Sequence, residues 1–135
     1  MSSPSSRIWI ALATVLAIHE EVVAEHGGST GIRERGLLES ALARPINAAQ
    51  FGEPAPDVPE LAGLYAIAIT RDHPFVDGNK RVAYVLLETF LELNGYTLPI
   101  DDPEAITMMW SLAGGDETDA TFVAWMRQNA VSRPD

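Results

Sequence analysis

Cysteine is missing from all 135 residues, which excludes disulfides and thiolate metal sites and suits a reducing cytoplasm. Lysine occurs once, at Lys80, and the nine Lys and Arg face nineteen Asp and Glu, a formal net charge of −10. So acidic a chain does not bind nucleic acid or an anionic membrane unaided; an anionic ligand needs a local cationic pocket or a metal ion. No apolar run approaches the roughly 20 residues that cross a bilayer. Strand signals are nearly absent as well, YTLPI (96–100) being the best. Arg7 and the IWIALATVLAI that follows imitate the start of a signal peptide, but no small-x-small cleavage site comes after them. Leu12, Val15, Leu16, His19, Val22 and Val23 recur instead at three- and four-residue spacing, the pattern of an amphipathic helix.

What remains is an ordinary globular composition, 47% hydrophobic and 21% charged, enough for one core without staples. Residues 7–135 read as a single domain, with MSSPSS (1–6) as a disordered leader. The punctuation is helical throughout. A first helix, Leu12 to Glu25, stops at Gly27-Gly28. A short one from Glu34 to Ala43 is expected to end at Pro45, and INAAQFGEPAPD (46–57) then reads as an exposed loop. Asp57 caps a helix that is apolar on nearly every face, ELAGLYAIAIT. A second such helix, RVAYVLLETFLEL, stops at Asn94-Gly95, and two more open at DDPE and GDETD. The fold class is all-α, about six helices, with a polar loop joining the two buried ones. Met108, Met109, Trp110, Trp125 and Met126 fall at helical spacing and read as core. His19 and His26, seven apart, are too far separated for a two-histidine metal clamp and read as packing or capping groups.

That polar joint is RDHPFVDGNKR, Arg71 to Arg81. A loop leading into a helix presents unpaired backbone N–H groups at the positive end of the helix dipole, an anion site. Gly78 allows close approach of backbone to ligand. Asn79 can cap the helix or fix the loop through its amide. Lys80 and Arg81 lie in the first helical turn, where the dipole disfavours cations unless an anion offsets it. Asp77 offers a hard oxygen suited to Mg²⁺ beside phosphate, and His73 a base of ordinary pKa near 6.5. A merely solvated loop accounts for any one of these residues, but not for base, metal ligand and phosphate cradle within nine. The chemistry is phosphoryl or nucleotidyl transfer.

HPFVDGNKR resembles the signature of the Fic/Doc superfamily, H-x-F-x-[D/E]-[G/A]-N-[G/K]-R. AMP-transferring Fic enzymes carry a second Gly after the Asn; Lys80 stands there, as in the death-on-curing (Doc) toxins. IHEEVVAEHGGSTGIRERGLLESALARP (18–45) and LNGYTL (93–98) are also similar to Doc proteins. The resemblance implies a compact Fic fold and a toxin–antitoxin kinase that moves the γ-phosphate of ATP to a threonine of elongation factor Tu, inhibiting translation. Carried over, His73 is the general base, while Asp77 holds Mg²⁺ and orients the hydroxyl. Gly78 and Asn79 contribute to the anion nest, Lys80 and Arg81 bind ATP phosphates, and Arg71 is a further phosphate contact. The 46–57 loop matches the family's target-docking flap in position. An AMP-transferring enzyme and a non-catalytic binding domain are the competing readings. The self-inhibitory [S/T]-x-x-x-E-[G/N] segment has only a look-alike, TGIRER (30–35), so the expected restraint is a separate Phd-type antitoxin.

Overall fold

A computed structural model describes residues 6–134; most of the expected leader, residues 1–5, and Asp135 lie outside the described residues. Six helices follow in order: α1 (Leu12–His26), α2 (Arg35–Phe51), α3 (Val58–Asp72), α4 (Asn79–Leu93), α5 (Asp102–Gly114) and α6 (Asp119–Asn129). Two dipeptide strands, β1 (Tyr96–Thr97) and β2 (Val131–Ser132), pair antiparallel and bring the chain's end back beside the end of α4. The fold is all-α, as the punctuation implied.

α3 is the axis of the molecule. It starts where Asp57 accepts from the Glu60 N–H at 3.0 Å with Pro59 in the first turn, a start at which the missing proline N–H costs nothing. From Val58 to Thr70 all but two of its residues are buried, because α2, α4, α5 and α6 all pack around it. Its most extensive contact is with α4, whose Val82, Ala83, Leu86, Leu87, Phe90 and Leu91 are fully buried. At Gly63 α3 packs against α6, where an added Cβ would lie 3.4 Å from Met126 Cγ, at the near limit of ordinary contact. Helices α5 and α6 begin at Asp101 and Thr118, each accepting from the N–H three residues on. The residues leading into α1 are held by Asn94, which accepts from Ile8 N–H and donates to Ile8 O.

Two expectations change. Pro45 does not end the second helix, which continues to Phe51 with Pro45 buried inside it. One ladder hydrogen bond is lost, but Leu38, Ala41, Pro45 and Ala49 make one continuous buried stripe against α3. That burial outweighs the local penalty. The loop expected over 46–57 therefore shrinks to residues 52–57, residues 46–51 being the last turns of α2. Trp110 is not core either: it is 62% exposed, beside the buried Met109.

Candidate active site

The joint between α3 and α4 is built on His73, the one non-glycine residue among those described with a positive φ (54°). It is the C-cap of α3, and its N–H still donates to Ile69 O at 3.0 Å. The left-handed turn there throws the chain away from the helix axis and starts the return toward α4. Phe75 is completely buried and anchors the loop's middle. Asn79, 4% exposed, ties the loop to itself: Oδ1 accepts from Phe75 N–H at 3.0 Å and Nδ2 donates to Phe75 O at 2.9 Å. Its second amide proton points at His73 Nδ1, 3.1 Å away. Because only the amide oxygen can accept from Phe75, the nitrogen must face the imidazole. Nδ1 is then an acceptor, and the neutral ring carries its proton on Nε2.

Asp77 is positioned from the other side. Its Oδ2 accepts from Ser29 N–H at 2.7 Å, and its backbone oxygen lies 3.0 Å from His19 Nε2. His19 is only 2% exposed and its ring stacks on Phe75, centroids 3.9 Å apart. Gly28 is required at this contact: with φ at +108°, an added Cβ would lie 2.9 Å from Asp77 Cβ. The paired glycines after α1 thus do more than stop a helix. Gly78, at φ 85°, is the N-cap of α4, and no side chain caps the helix's free N–H groups.

This end of α4 lines a cavity of about 730 Å³. Its lining includes Gly27 and Gly28 after α1, the run Asp77 to Arg81, Tyr84 and Glu88 of α4, and Ile106 and Trp110 of α5. Lys80 Nζ lies over the Trp110 ring, 4.3 Å from its centre. Tyr84 donates to Glu88 Oε2 at 3.0 Å. Burial first, and the neighbouring Glu88 second, push the Tyr84 phenol up; burial also raises the Glu88 carboxyl.

The cations sort sharply. Arg35, Arg44, Arg71 and Arg127 each pair with carboxylates, and Arg33 and Arg133 donate to backbone oxygens. Arg7 is also engaged. Among the described residues this leaves Lys80 and Arg81 as the cations without an acceptor, and both line the cavity. No acid shares their helical turn. The positive end of a helix dipole, free N–H groups and two unneutralised cations converge where the rest of the chain is acidic.

Of the residues singled out from sequence, Asp77, Gly78, Asn79, Lys80 and Arg81 therefore come together in one wall. His73 joins them through the Asn79 contact, one hydrogen bond outside the cavity. Arg71 is directed elsewhere: it donates to Leu112 O at 2.8 Å and pairs with Asp119 at 3.2 Å, fastening α3 to α5 and α6. Three contributors escaped sequence reading, His19, Ser29 and Arg33, all far from the motif along the chain. The histidine alone left a signal, a polar residue on an otherwise apolar helical stripe. No group of three or more His, Cys, Asp or Glu gathers among the described residues.

Comparison with known proteins agrees with this geometry. The family model described as "Fic/DOC family" matches residues 9–91, from the segment before α1 to the end of the buried part of α4. "Protein kinase doc" of Escherichia phage P1 is 30% identical over 114 residues, 84% of this chain and 89% of the phage protein. "Toxin Doc" of Mycolicibacterium smegmatis is 41% identical over 76 residues, 56% of this chain, and the match spans 58% of that protein's length. With the family model covering well over half of its length, and the motif loop assembled around His73, Asp77 and Asn79, the chain belongs to the Fic/DOC family.

Proposed function

We propose that the protein is a Doc-type toxin: a kinase that transfers the γ-phosphate of ATP to a threonine of elongation factor Tu, restrained by a Phd-type antitoxin. The observation that carries this reading is the pair of unneutralised cations, Lys80 and Arg81, at the open N-terminus of α4. In a chain of net charge −10 these two cations and the open helix end suit a polyphosphate, although Glu25, Asp77, Glu88 and Asp102 also line the cavity. Similarity to a phage protein named a protein kinase supports phosphoryl over nucleotidyl transfer. So does Lys80, which fills the position of the second glycine in AMP-transferring enzymes.

In this reading the acceptor oxygen attacks the γ-phosphorus, the bond to the β-phosphate oxygen breaks, ADP leaves, and the hydroxyl proton passes to His73. Proton uptake needs a ring lone pair, and the neutral imidazole has only the one on Nδ1 that Asn79 already occupies. The Asn79 contact gives way, or the ring changes tautomer, as the hydroxyl arrives. Backbone N–H groups after Gly78, with Lys80 and Arg81, hold the phosphates where charge develops. Asp77, with Oδ2 accepting from Ser29 N–H, would offer its other carboxylate oxygen to Mg²⁺. A magnesium ion held there would neutralise phosphate charge.

The test is incubation with elongation factor Tu, Mg²⁺ and ATP labelled on either the α- or the γ-phosphate. Label from the γ position alone, abolished in His73→Ala, is expected. Transfer of the α label would make the protein an AMP transferase and refute the kinase reading. In cells, expression should arrest growth and co-expression of a neighbouring small antitoxin frame should restore it. Undiminished growth with an active enzyme contradicts the toxin reading.

A further inference from the structure

We infer that Arg33 is a positioning residue for His73, an inference that rests on the reading of His73 as the base. Arg33 grips the end of α3 by three consecutive carbonyls. Nη2 donates to Asp72 O at 2.9 Å, Nε to His73 O at 2.8 Å, and the backbone N–H to Pro74 O at 2.7 Å. The Glu34 N–H adds a second donor to Pro74 O at 3.2 Å.

These oxygens belong to the turn that a helix end leaves without partners, and a cation is favoured there by the dipole. The turn is also where His73 adopts a left-handed conformation that residues with a Cβ seldom take. Histidine enters that region more often than most side chains, but still as a minority state, so its surroundings help to hold it. The imidazole is held by Asn79 and the peptide on its carbonyl side by Arg33. A guanidinium is needed because its planar fork reaches two neighbouring carbonyls at once; an ammonium supplies the charge without the fixed pair of directions. Arg33 is itself anchored: an antiparallel bridge pairs Ile32 with Phe75, and Val76 N–H donates to Gly31 O at 2.9 Å.

Arg33 is no part of the cavity wall, so its loss should not touch nucleotide binding. Without the side chain, the Asp72 and His73 carbonyls lose the donors that fix their peptide planes, while Pro74 O keeps its two backbone N–H donors. His73 then relaxes toward ordinary backbone geometry and its ring swings away from the acceptor.

The experiment is phosphate-transfer kinetics on the full chain with Arg33→Ala and Arg33→Lys, beside wild type and His73→Ala, with thermal unfolding of each. Displacing a catalytic group by about 1 Å costs on the order of 10²-fold, so kcat of R33A should fall about 10- to 100-fold with KM for ATP almost unchanged. Added guanidinium chloride at low millimolar concentration should restore part of that rate without raising the unfolding temperature, and R33K should recover little. A purely structural cap predicts the reverse, loss of stability with no rescue. Wild-type kcat in R33A, or in R33K if R33A does not fold, overturns the inference.

NMR of the histidine rings keeps it independent of the activity assay. R33A should move or broaden the His73 ring signals and leave those of the exposed His26 in place. Unmoved His73 signals overturn the positioning role even if no substrate is phosphorylated. An active wild type matched by an active His73→Ala would instead refute the base assignment.

Discussion

Replacing His19 by phenylalanine removes one hydrogen bond and little else. The ring position is 2% exposed and stacked on Phe75, and phenylalanine preserves the stack. What disappears is the contact from Nε2 to Asp77 O at 3.0 Å. Losing the donor to a partly buried carbonyl costs about 1–2 kcal/mol. His19→Ala also removes the stacked ring, and by analogy with other aromatic truncations it should cost about 3–5 kcal/mol. In a chain of this size 1 kcal/mol corresponds to roughly 3–5 °C in unfolding temperature. Urea and thermal unfolding of both variants should therefore separate the packing contribution from the polar one. H19F should also weaken Mg²⁺-dependent transfer, because the backbone behind Asp77 is no longer fixed. If H19F matches wild type in both stability and transfer, His19 is only a core side chain and the account of how Asp77 is placed is wrong.

Three further outcomes follow from the geometry. Gly28→Ala and Gly27→Ala both put a Cβ on a backbone of positive φ, a strain of about 1–3 kcal/mol, to which Gly28→Ala adds a clash. Only the first collides with Asp77, so only G28A should depress transfer; equal losses of rate would contradict the close approach. Glu88→Gln bears on pH. Burial raises the Glu88 pKa above the ordinary 4.5, so the folded state holds the proton more tightly than the unfolded chain. Stability therefore falls as pH rises through the window above 4.5, and E88Q, compared by urea unfolding, should be the more stable protein at pH 7 and lose that advantage below it. An advantage that persists unchanged at acid pH would refute the burial explanation. Nitrogen NMR of the neutral His73 ring should find the proton on Nε2; a protonated Nδ1 would mean that Asn79 faces it differently.

The helices, their caps and the motif loop were legible because each depends on neighbours in sequence. Asp57 and Asp101 act within three residues, and the apolar faces of α3 and α4 repeat at helical spacing. Pro45 misled because the rule that proline ends a helix is local, while the stripe Leu38, Ala41, Pro45 and Ala49 is decided by packing on α3. Arg71 misled in a related way. It is two residues from His73 in the chain, but successive helical positions point about 100° apart, and its side chain leaves the site for Asp119. Lys80 and Arg81 were legible as cations in the wrong place on a helix. That their partners are absent, while the other arginines all have them, needed coordinates. The contacts that support the loop could not be read: His19 stood out as a polar residue on an apolar stripe, but it meets Asp77 across 58 residues of chain, and Arg33 meets His73 across 40.

The central claim is that the N-terminus of α4 is a polyphosphate site, and calorimetric titration tests it without any protein substrate. ATP with Mg²⁺ should bind the wild-type chain well above adenosine, which lacks the phosphates, and added salt should weaken ATP binding. Arg81→Ala, which removes one of the two unneutralised cations, should lose most of that difference, since charge-assisted hydrogen bonds contribute roughly 1.5–3 kcal/mol each. Adenosine binding as tightly as ATP, or R81A holding ATP as wild type does, would contradict the account.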